Sequence, residues 1–309
     1  MAKLVYLPEA EWKENSVVTV GTFDGVHEGH KSLIQKVVAK AQNRGARSVV
    51  ISFDPHPREI LNSGNMQIRL LTSLEERSEI LGDLGVDELI IIPFDRDFSL
   101  LTAEEFIRDI IHAKIGVSEF VIGYDHQFGR NREGTIETVQ ELGRNLGFDV
   151  HVVEAHEVDE ITVSSTSVRN ALANEGDVKL AWNFLGRPYK LTGYVSHGDK
   201  RGKQLGFPTA NIQPDHPKKI IPFRGVYAVD VEIEGKTWRG MMNIGVRPTF
   251  DGSEQETLEV NLFDFDRDIY GMQLVVYFLE RVRDEKKFNG KQELIEQLNV
   301  DKQRCLKVK

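Results

Sequence analysis

Two histidines, His27 and His30, stand three residues apart in the stretch GTFDGVHEGH at residues 21–30. An apolar run precedes this stretch and a run with helical spacing follows it, so both imidazoles are expected on one side of a helix start. Gly21 and Gly25 permit close approach of the backbone, and a helix N-terminus offers free N–H groups to a phosphate. Two imidazole donors there could stabilise charge on a phosphoryl group in transfer and on departing pyrophosphate. A bare H-x-G-H pattern, in contrast, is more often an ordinary surface turn.

The first half of the chain predicts the elements that would position these histidines. Short β-branched runs at residues 16–20, 48–53, 88–94, 119–123 and 148–154 alternate with stretches of helical spacing. This alternation is typical of an α/β domain with a mostly parallel sheet. Thr102 followed by Glu105 predicts a capping box at the start of one helix. The histidine stretch follows the first strand, at the carboxyl edge where open α/β sheets bind ligands.

The pattern changes to antiparallel strands after about residue 186. In GVYAVDVEIEGKTWRGMMNIG, residues 225–245, apolar and acidic side chains alternate before a turn at Glu234-Gly235. Further strand-like runs lie at residues 190–196, 256–263 and 272–282, and a single terminal helix lies near 290–305. These elements predict a small closed barrel that the helix caps. Gly186 and Pro188 lie where the pattern changes, and both residue types commonly interrupt regular elements. The chain is therefore predicted to consist of two domains, 1–186 and 187–309.

Composition limits the classes of protein that need to be considered. The chain has 309 residues, 40% hydrophobic and 28% charged, and no apolar run approaches the ~20 residues of a membrane span. The single Cys305 excludes an internal disulfide framework, and the N-terminus lacks a secretion-signal pattern, so a reducing cytoplasm is expected. Residues 1–186 carry 18 basic against 30 acidic side chains, and residues 187–309 carry 21 against 18. Neither half has the basic excess that predicts nucleic-acid binding, and the oligomeric state is left open.

Longer motifs around these residues resemble those of a known family. GTFDGVHEGH closely resembles the G-x-F-D-G-x-H-x-G-H signature of the nucleotidyltransferase superfamily, specifically the adenylyltransferase domain of bacterial bifunctional riboflavin kinase/FAD synthetases. Three further motifs of that domain follow in order: ISFDPHP (51–57), GYDHQFGRNREG (123–134) and VSSTSVRNAL (163–172). Four more resemble the riboflavin kinase domain: HGDKRGKQLGFPTANI (197–212), GVYAV (225–229), MNIGVRPTF (242–250) and LEVNLFDFDRDIYG (258–271). The resemblance covers almost the whole chain.

This resemblance implies a Rossmann-like first domain in which His27 and His30 handle phosphate. It also implies nucleotide or flavin contacts for Gly21, Phe23, Asp24, Gly25, Asp54, His56, Asp125, Phe128, Ser164, Ser165, Thr166 and Arg169. Hydroxyls at a helix start and a planar guanidinium suit phosphate oxygens. Taken alone, SSTS would be an ordinary N-cap and FDPHP would merely end a strand. The chain carries His126-Gln127 where the family commonly has an aromatic residue and then a basic one.

The second domain lacks a Walker A loop, although the resemblance implies a kinase. GDKRGKQ has three residues between its glycines where Walker A needs four, and no Ser or Thr follows its lysine. The alternative is a loop whose backbone cradles phosphates; its implied residues are Gly198, Gly202, Lys203 and Gly206, with Arg247 near the ligands.

Three residues on extended segments complete the implied kinase site. Thr209 and Asn211 alternate onto the same face and offer neutral oxygens to Mg²⁺, which the family uses with ATP. Glu259 matches the family's glutamate proposed to take the proton from the ribityl 5′-hydroxyl. Taken alone, PTAN would be a polar strand end and Glu259 a solvent-facing glutamate. Asn261 stands where many relatives carry His.

The resemblance therefore implies an enzyme with two activities. One is phosphorylation of riboflavin by MgATP to FMN and ADP; the other transfers AMP from a second ATP to FMN, which gives FAD and pyrophosphate. Two alternatives stay open: a chain that retains only one activity, and a non-enzymatic sensor of flavins or nucleotides. The residues His27, His30, Thr209, Asn211 and Glu259 favour an enzyme, because a sensor has no need of reactive groups.

Overall fold

The structure of the protein is a computed structural model, and the residues it describes are all except 62–67, 125–126, 131–132, 155–156, 159–160, 198–204 and 249–253. Two compact units make up the chain, Met1–Ser165 and Thr166–Lys309. The residues between the two division points, 166–186, thus pack with the second unit, whereas the predicted boundary assigns them to the first domain. That domain boundary stays a prediction.

The first unit is built on a six-stranded parallel sheet. Its strands are β1 (Lys3–Tyr6), β2 (Ser16–Val20), β3 (Arg47–Asp54), β4 (Glu88–Pro93), β5 (Val117–Gly123) and β6 (Asp149–Val153), ordered β1-β4-β3-β2-β5-β6. A short antiparallel hairpin follows, formed by β7 (Glu157–Val158) and β8 (Ile161–Thr162). The predicted α/β class is confirmed. The analysis of the sequence missed β1, whose four residues are too few to show a period, and the two-residue strands of the hairpin.

Helices pack on both faces of this sheet. They are α1 (Glu28–Arg44), α2 (Pro57–Leu61), α3 (Leu74–Asp83), α4 (Ala103–Glu105), which continues as a π-helical segment over Phe106–Ile115, and α5 (Ile136–Leu146). Short 3₁₀ turns cover Leu7–Glu9 and Phe98–Leu100. Val18 and Ile51 pack on the α4 side, while their strand neighbours Val17 and Val50 pack on the α1 and α3 side. This alternation buries both faces, as parallel sheets require.

The predicted capping box is present at the start of α4. Glu105 N donates to Thr102 Oγ1 at 3.1 Å, and Thr102 N donates to Glu105 Oε2 at 2.8 Å. These reciprocal bonds satisfy two backbone donors that the helix start leaves without intrahelical partners. They fix where the helix begins on the sheet.

The second unit is a closed antiparallel barrel with helices. Its strands are β9 (Tyr189–Ser196), β10 (Ala210–Pro214), β11 (Gly225–Ile233), β12 (Lys236–Pro248), β13 (Glu254–Leu262) and β14 (Gln273–Arg283), closed in the order β10-β13-β12-β11-β14-β9. The helices are α6 (Ser165–Asn170), continued by a π-helical segment over Ala171–Glu175, α7 (Val178–Leu185) and the terminal α8 (Lys291–Lys307). The predicted barrel and terminal helix are confirmed.

The β11–β12 hairpin turns where the sequence predicted. Glu234 and Gly235 have φ values of 51° and 71° between the paired residues Ile233 and Lys236. Two positive φ values are the geometry of a type I′ turn, which matches the twist of the flanking strands. Tyr227 and the alternate apolar residues after it are buried.

Candidate active sites

The loop that carries the histidines, residues 21–27, is called the signature loop below. It leaves β2 at the point where the chain order of the sheet reverses, because β2 lies between β3 and β5. Ligands bind outside the carboxyl ends of the strands at such a switch point. Three of its residues have left-handed backbone: Phe23 at φ 46°, Gly25 at 86° and Val26 at 41°. This conformation is uncommon for Phe and strained for the β-branched Val, so surrounding contacts must hold it.

The structure brings His27 and His30 together at the start of α1. His27 is the N-cap, and its Nδ1 accepts from His30 N at 3.3 Å. An accepting Nδ1 carries no proton, so in neutral His27 the proton is on Nε2. The two rings stack with centroids 3.6 Å apart, and the edge contact from Phe23 to His30 spans 5.1 Å.

The surroundings of His30 favour its neutral form. The residue as a whole is partly exposed, but its Nδ1 is buried and has no hydrogen-bond partner among the residues that the structure describes. Burial, the adjacent His27 and the Arg77 guanidinium, in decreasing order, lower the pKa of His30 well below its ordinary value of 6.5. A neutral ring can donate from one nitrogen only, so the local contacts determine which nitrogen faces a ligand.

Two residues of the implied ligand set, Phe23 and Asp24, are turned into the protein. Phe23 is 1% exposed and Asp24 is 0% exposed. The Asp24 carboxylate accepts from Leu71 N at 3.0 Å and from Thr72 N at 2.9 Å. Ser165 Oγ donates to Asp24 O at 2.8 Å. These contacts hold the signature loop from its buried side.

Asp54 and His56 follow β3, the strand next to β2. Asp54 is exposed, and its carbonyl accepts from Phe94 N at 3.0 Å. His56 is buried, and its Nδ1 accepts from Arg58 N at 3.2 Å. The imidazole thus satisfies a backbone donor in the first turn of α2. Gly21 N donates to Ile51 O at 3.0 Å, so the ends of β2 and β3 are held at the same edge.

The remaining implied residues of the first domain lie in three places. Phe128 packs against Phe106 with ring centroids 5.6 Å apart, and Gly129 turns beneath it at φ 74°. Asp125, with the departure at His126, lies outside the described residues. Ser164 and Ser165 belong to the first unit, whereas Thr166 is exposed and Arg169 half-buried on α6 in the second.

In the barrel, strand register brings the implied kinase residues together. Asn211 in β10 pairs with Glu259 in β13, and Asn243 in β12 pairs with Glu259 from the other side. Thr209 Oγ1 donates to Glu259 Oε2 at 3.2 Å. The flanking Leu258 and Val260 are buried in the core as the alternation predicted.

Glu259 is half-buried and lines a cavity. The cavity has a volume of about 330 Å³. Its lining residues are Leu205, Phe207, Thr209, Val226, Met241, Asn243, Glu259, Asn261, Arg283, Glu285, Lys286, Phe288, Leu294 and Leu298. Half of these residues are apolar and half are polar or charged. A wall that combines apolar side chains with convergent polar groups is typical of small-molecule sites. We call it the barrel cavity.

Other implied residues of the second domain are placed in part. Gly206 has φ 79°, a left-handed conformation that glycine adopts at no cost. Asn261 is 5% exposed, and its Nδ2 donates to Pro208 O at 2.6 Å, which fixes the segment that carries Thr209. Gly198, Gly202 and Lys203 lie outside the described residues, as does the side chain of Arg247 in β12.

The sequence analysis missed the polar residues that support each site. Arg77 is 3% exposed beside Asp24, and Asp301 is 0% exposed with its Oδ2 at 2.9 Å from Arg283 Nε. The only sequence signal near Arg77 is the capping box of α3, Ser73 with Glu76, which marks a helix start but not what lies against it. Asp301 lies in a polar stretch of α8 where nothing predicts burial.

Membrane-spanning helices and clusters of metal ligands are both absent from the residues that the structure describes. No described helix is both long and apolar enough to cross a bilayer. The same residues contain no group of three or more His, Cys, Asp and Glu side chains arranged to hold a metal ion.

Comparison with known proteins identifies both units. The FAD synthetase family model matches residues 9–167, and the riboflavin kinase model matches residues 185–309. A bifunctional riboflavin kinase/FMN adenylyltransferase of Pseudomonas fluorescens is 40% identical over 92% of this chain and 90% of its own. The protein of that name from Bacillus subtilis is 38% identical over 96% of this chain and 93% of its own.

A solved structure matches over the full length. The crystal structure of a macrolide-efflux protein from Streptococcus pneumoniae aligns with a TM-score of 0.91 at 33% identity, over 99% of each chain. This match shows that the two chains share a fold. The two family models and the curated relatives confirm the resemblance found in the sequence. The chain belongs to the family of bifunctional riboflavin kinase/FMN adenylyltransferases and carries both the FAD synthetase and the riboflavin kinase domain.

Proposed function

We propose that the two activities of this family member are carried out at the two sites described above. The signature loop transfers AMP from ATP to FMN, and the barrel cavity phosphorylates riboflavin. The observation that carries this assignment is the cluster in the barrel cavity, where the Thr209 hydroxyl donates to the Glu259 carboxylate at 3.2 Å. A carboxylate that a hydrogen bond orients inside a cavity is suited to accept a proton from a bound alcohol.

For the kinase reaction, Glu259 is the base. It takes the proton from the ribityl 5′-hydroxyl while that oxygen forms its bond to the γ-phosphorus of ATP, and ADP leaves with the electrons of the broken bond. No protein nucleophile is needed in this direct transfer. The Thr209 hydroxyl donates to Oε2 of this carboxylate and so helps to orient it.

Mg²⁺ fits the donor set at this site. Thr209 contacts the Glu259 carboxylate, and Asn211 is the cross-strand partner of Glu259, so both can offer a neutral oxygen near it. Mg²⁺ prefers hard oxygen ligands completed by phosphate and water. When bound, the ion would neutralise the phosphate charge that develops during transfer. We propose Thr209 and Asn211 as the residues that hold it.

For the adenylyl transfer, His27 and His30 are electrostatic donors. An FMN phosphate oxygen attacks the α-phosphorus of ATP, and pyrophosphate leaves. The Nε2–H of His27 and the N-terminus of α1 stabilise the charge that develops on the α-phosphate and on the leaving group. The hydroxyls of Ser164 and Thr166 and the Arg169 guanidinium are proposed to bind the triphosphate. The Ser165 hydroxyl donates its proton to Asp24 O, so we propose that it supports the signature loop instead. We place both reactions in the cytoplasm, where the buried thiol of Cys305 is stable without a partner.

A time course with riboflavin and ATP tests the assignment of two working sites. Chromatography of the mixture should show FMN first, then FAD at the expense of FMN, with release of pyrophosphate. Accumulation of FMN without FAD would contradict the proposal that the signature loop transfers AMP to FMN. Binding of flavin without any product would favour the sensor alternative.

A further inference from the structure

A polar network lies behind the signature loop, and the chemistry proposed above does not use it. Its centre is Arg77 in α3, which is 3% exposed. The guanidinium Nη1 donates to Ser52 Oγ at 2.9 Å, while Nη2 donates to Thr72 O at 3.5 Å and lies 3.7 Å from Asp24 Oδ1. Burial of a guanidinium is costly unless such partners replace its water.

Two of these partners connect Arg77 to the signature loop. Ser52, in β3, receives the Arg77 hydrogen bond and donates its own hydroxyl to Thr22 O at 2.9 Å. Asp24 lies in the loop itself, and its carboxylate is 0% exposed. The guanidinium therefore holds the loop on both sides of Phe23, at residue 22 through Ser52 and at residue 24 directly.

The third partner, Thr72, closes the network. Its Oγ1 donates to Asp24 Oδ1 at 3.1 Å and accepts from Gly25 N at 3.0 Å. Gly25 has φ 86°, and the residues on either side of the Asp24–Gly25 pair, Phe23 and Val26, have φ values of 46° and 41°. The network thus contacts the segment of the loop, residues 23–26, that contains the left-handed φ values.

The strained backbone needs this support because it ends at His27. A left-handed Val or Phe relaxes toward the β or right-handed region when its surroundings allow it. Relaxation would turn the peptide planes that lead into the N-cap and shift both stacked imidazoles. Displacement of catalytic groups by about 1 Å can cost about 100-fold in rate.

We propose that Arg77 is a positioning residue for the adenylyl transfer, which acts through Asp24, Thr72 and Ser52 on the loop that carries His27 and His30. It touches no reacting atom. Its planar fork is required because its two terminal nitrogens serve different partners at once, which the single ammonium of a lysine does not reproduce. The inference rests on the proposed role of the histidine pair.

The test compares Arg77→Met, Arg77→Lys and a matched control, Ser78→Ala, in the full-length protein. Ser78 is the next residue of α3, is 1% exposed, and donates to Ala2 O at 2.7 Å, away from the loop. Rates of FAD formation from supplied FMN are measured below the unfolding temperature of each variant. We expect kcat to fall about 100-fold for Met and about 10-fold for Lys, with KM for ATP changed less than threefold.

The control and the second activity separate positioning from general loss of structure. Ser78→Ala should keep its kcat, and riboflavin phosphorylation should be unchanged in all three variants. Wild-type kcat in either folded Arg77 variant would overturn the proposal, as would an equal loss in Ser78→Ala. If Arg77→Met does not fold because Asp24 is left buried and unbalanced, Arg77→Lys alone decides. A His27→Ala/His30→Ala variant with normal FAD formation would instead refute the proposed role of the histidines.

Discussion

The two candidate sites are built in opposite ways. In the barrel, Glu259 is placed by regular strand pairing, with Asn211 on one side and Asn243 on the other. In the first unit, His27 and His30 depend on an irregular loop with strained backbone and a buried network behind it. Register is set by the side-chain period of two, whereas a strained loop is set by contacts distant in sequence. The barrel site should therefore tolerate changes around it better than the loop site.

The largest expected effect is the loss of one activity through Glu259→Gln. The substitution keeps the shape and an acceptor for Thr209 but removes the base, and positioned bases contribute about 100- to 10,000-fold. Riboflavin phosphorylation should nearly stop, while binding of ATP and riboflavin persists. FAD formation from supplied FMN should continue on the same purified variant. Near-normal kinase turnover would rule out the base, and loss of both activities would indicate misfolding.

The reciprocal change is His27→Ala combined with His30→Ala. FAD formation should fall by about 100-fold or more, since loss of an electrostatic donor of this type costs roughly 3 kcal/mol. FMN formation from riboflavin should stay at the wild-type rate. Both half-reactions are followed by chromatography of the flavins. An unchanged rate of FAD formation from FMN would contradict the role of these histidines and would favour the alternative of an ordinary surface turn.

Cutting the chain at the predicted domain boundary should separate the two activities. Fragment 1–186 should form FAD from FMN, and fragment 187–309 should form FMN from riboflavin. However, α7 packs on the barrel, and its residues Val178, Ala181, Phe184 and Leu185 are buried. Because this apolar cover is lost in 187–309, we expect it to be less stable than 166–309 by on the order of 3 kcal/mol.

Urea unfolding of the two barrel fragments measures that difference. Equal stability of 187–309 and 166–309 would show that α7 contributes nothing to the barrel and would favour the boundary at 186. A folded 1–186 fragment without adenylyl transfer, or a folded 187–309 fragment without kinase activity, would contradict the modular assignment of the two activities.

The regular strands of the barrel could be predicted from the sequence, whereas the contacts that hold the irregular signature loop could not. The alternation in LEVNLF and the Glu234-Gly235 turn predicted strands, faces and a hairpin that the structure confirms, because these signals are local. The positions of His27 and His30 after a strand and before a helix were also readable. Arg77 was not, since its contacts with Asp24 depend on how α3 packs against the loop 53 residues earlier in the chain. Nor did the polar sequence of α8 indicate that Asp301 is buried.

The two units should also differ in the direction of their pH sensitivity, which is the smallest effect expected here. In the barrel unit, burial raises the pKa of Tyr227 to about 12 and that of Cys305 to about 12. A group with a raised pKa stabilises the fold below its unfolded pKa and loses that contribution as the pH rises toward the folded value. The barrel should thus be destabilised between about pH 9 and 12, with Tyr227→Phe reducing the effect.

The first unit should be sensitive to acid instead, through His30. Its folded pKa is lowered below the ordinary 6.5, mainly by burial, so below that pH the unfolded chain binds a proton that the folded unit does not. The free energy of unfolding should then fall by at most about 1.4 kcal/mol per pH unit as the pH drops from 6.5 toward the folded pKa. Thermal unfolding of fragment 1–186 at pH 7.5 and 5.5, with and without His30→Gln, measures this contribution. Because glutamine does not titrate, the variant should lose less stability than the wild-type fragment over that interval. An identical acid dependence in both would show that His30 is as easily protonated in the fold as in the unfolded chain, and that the loop does not keep its second imidazole neutral.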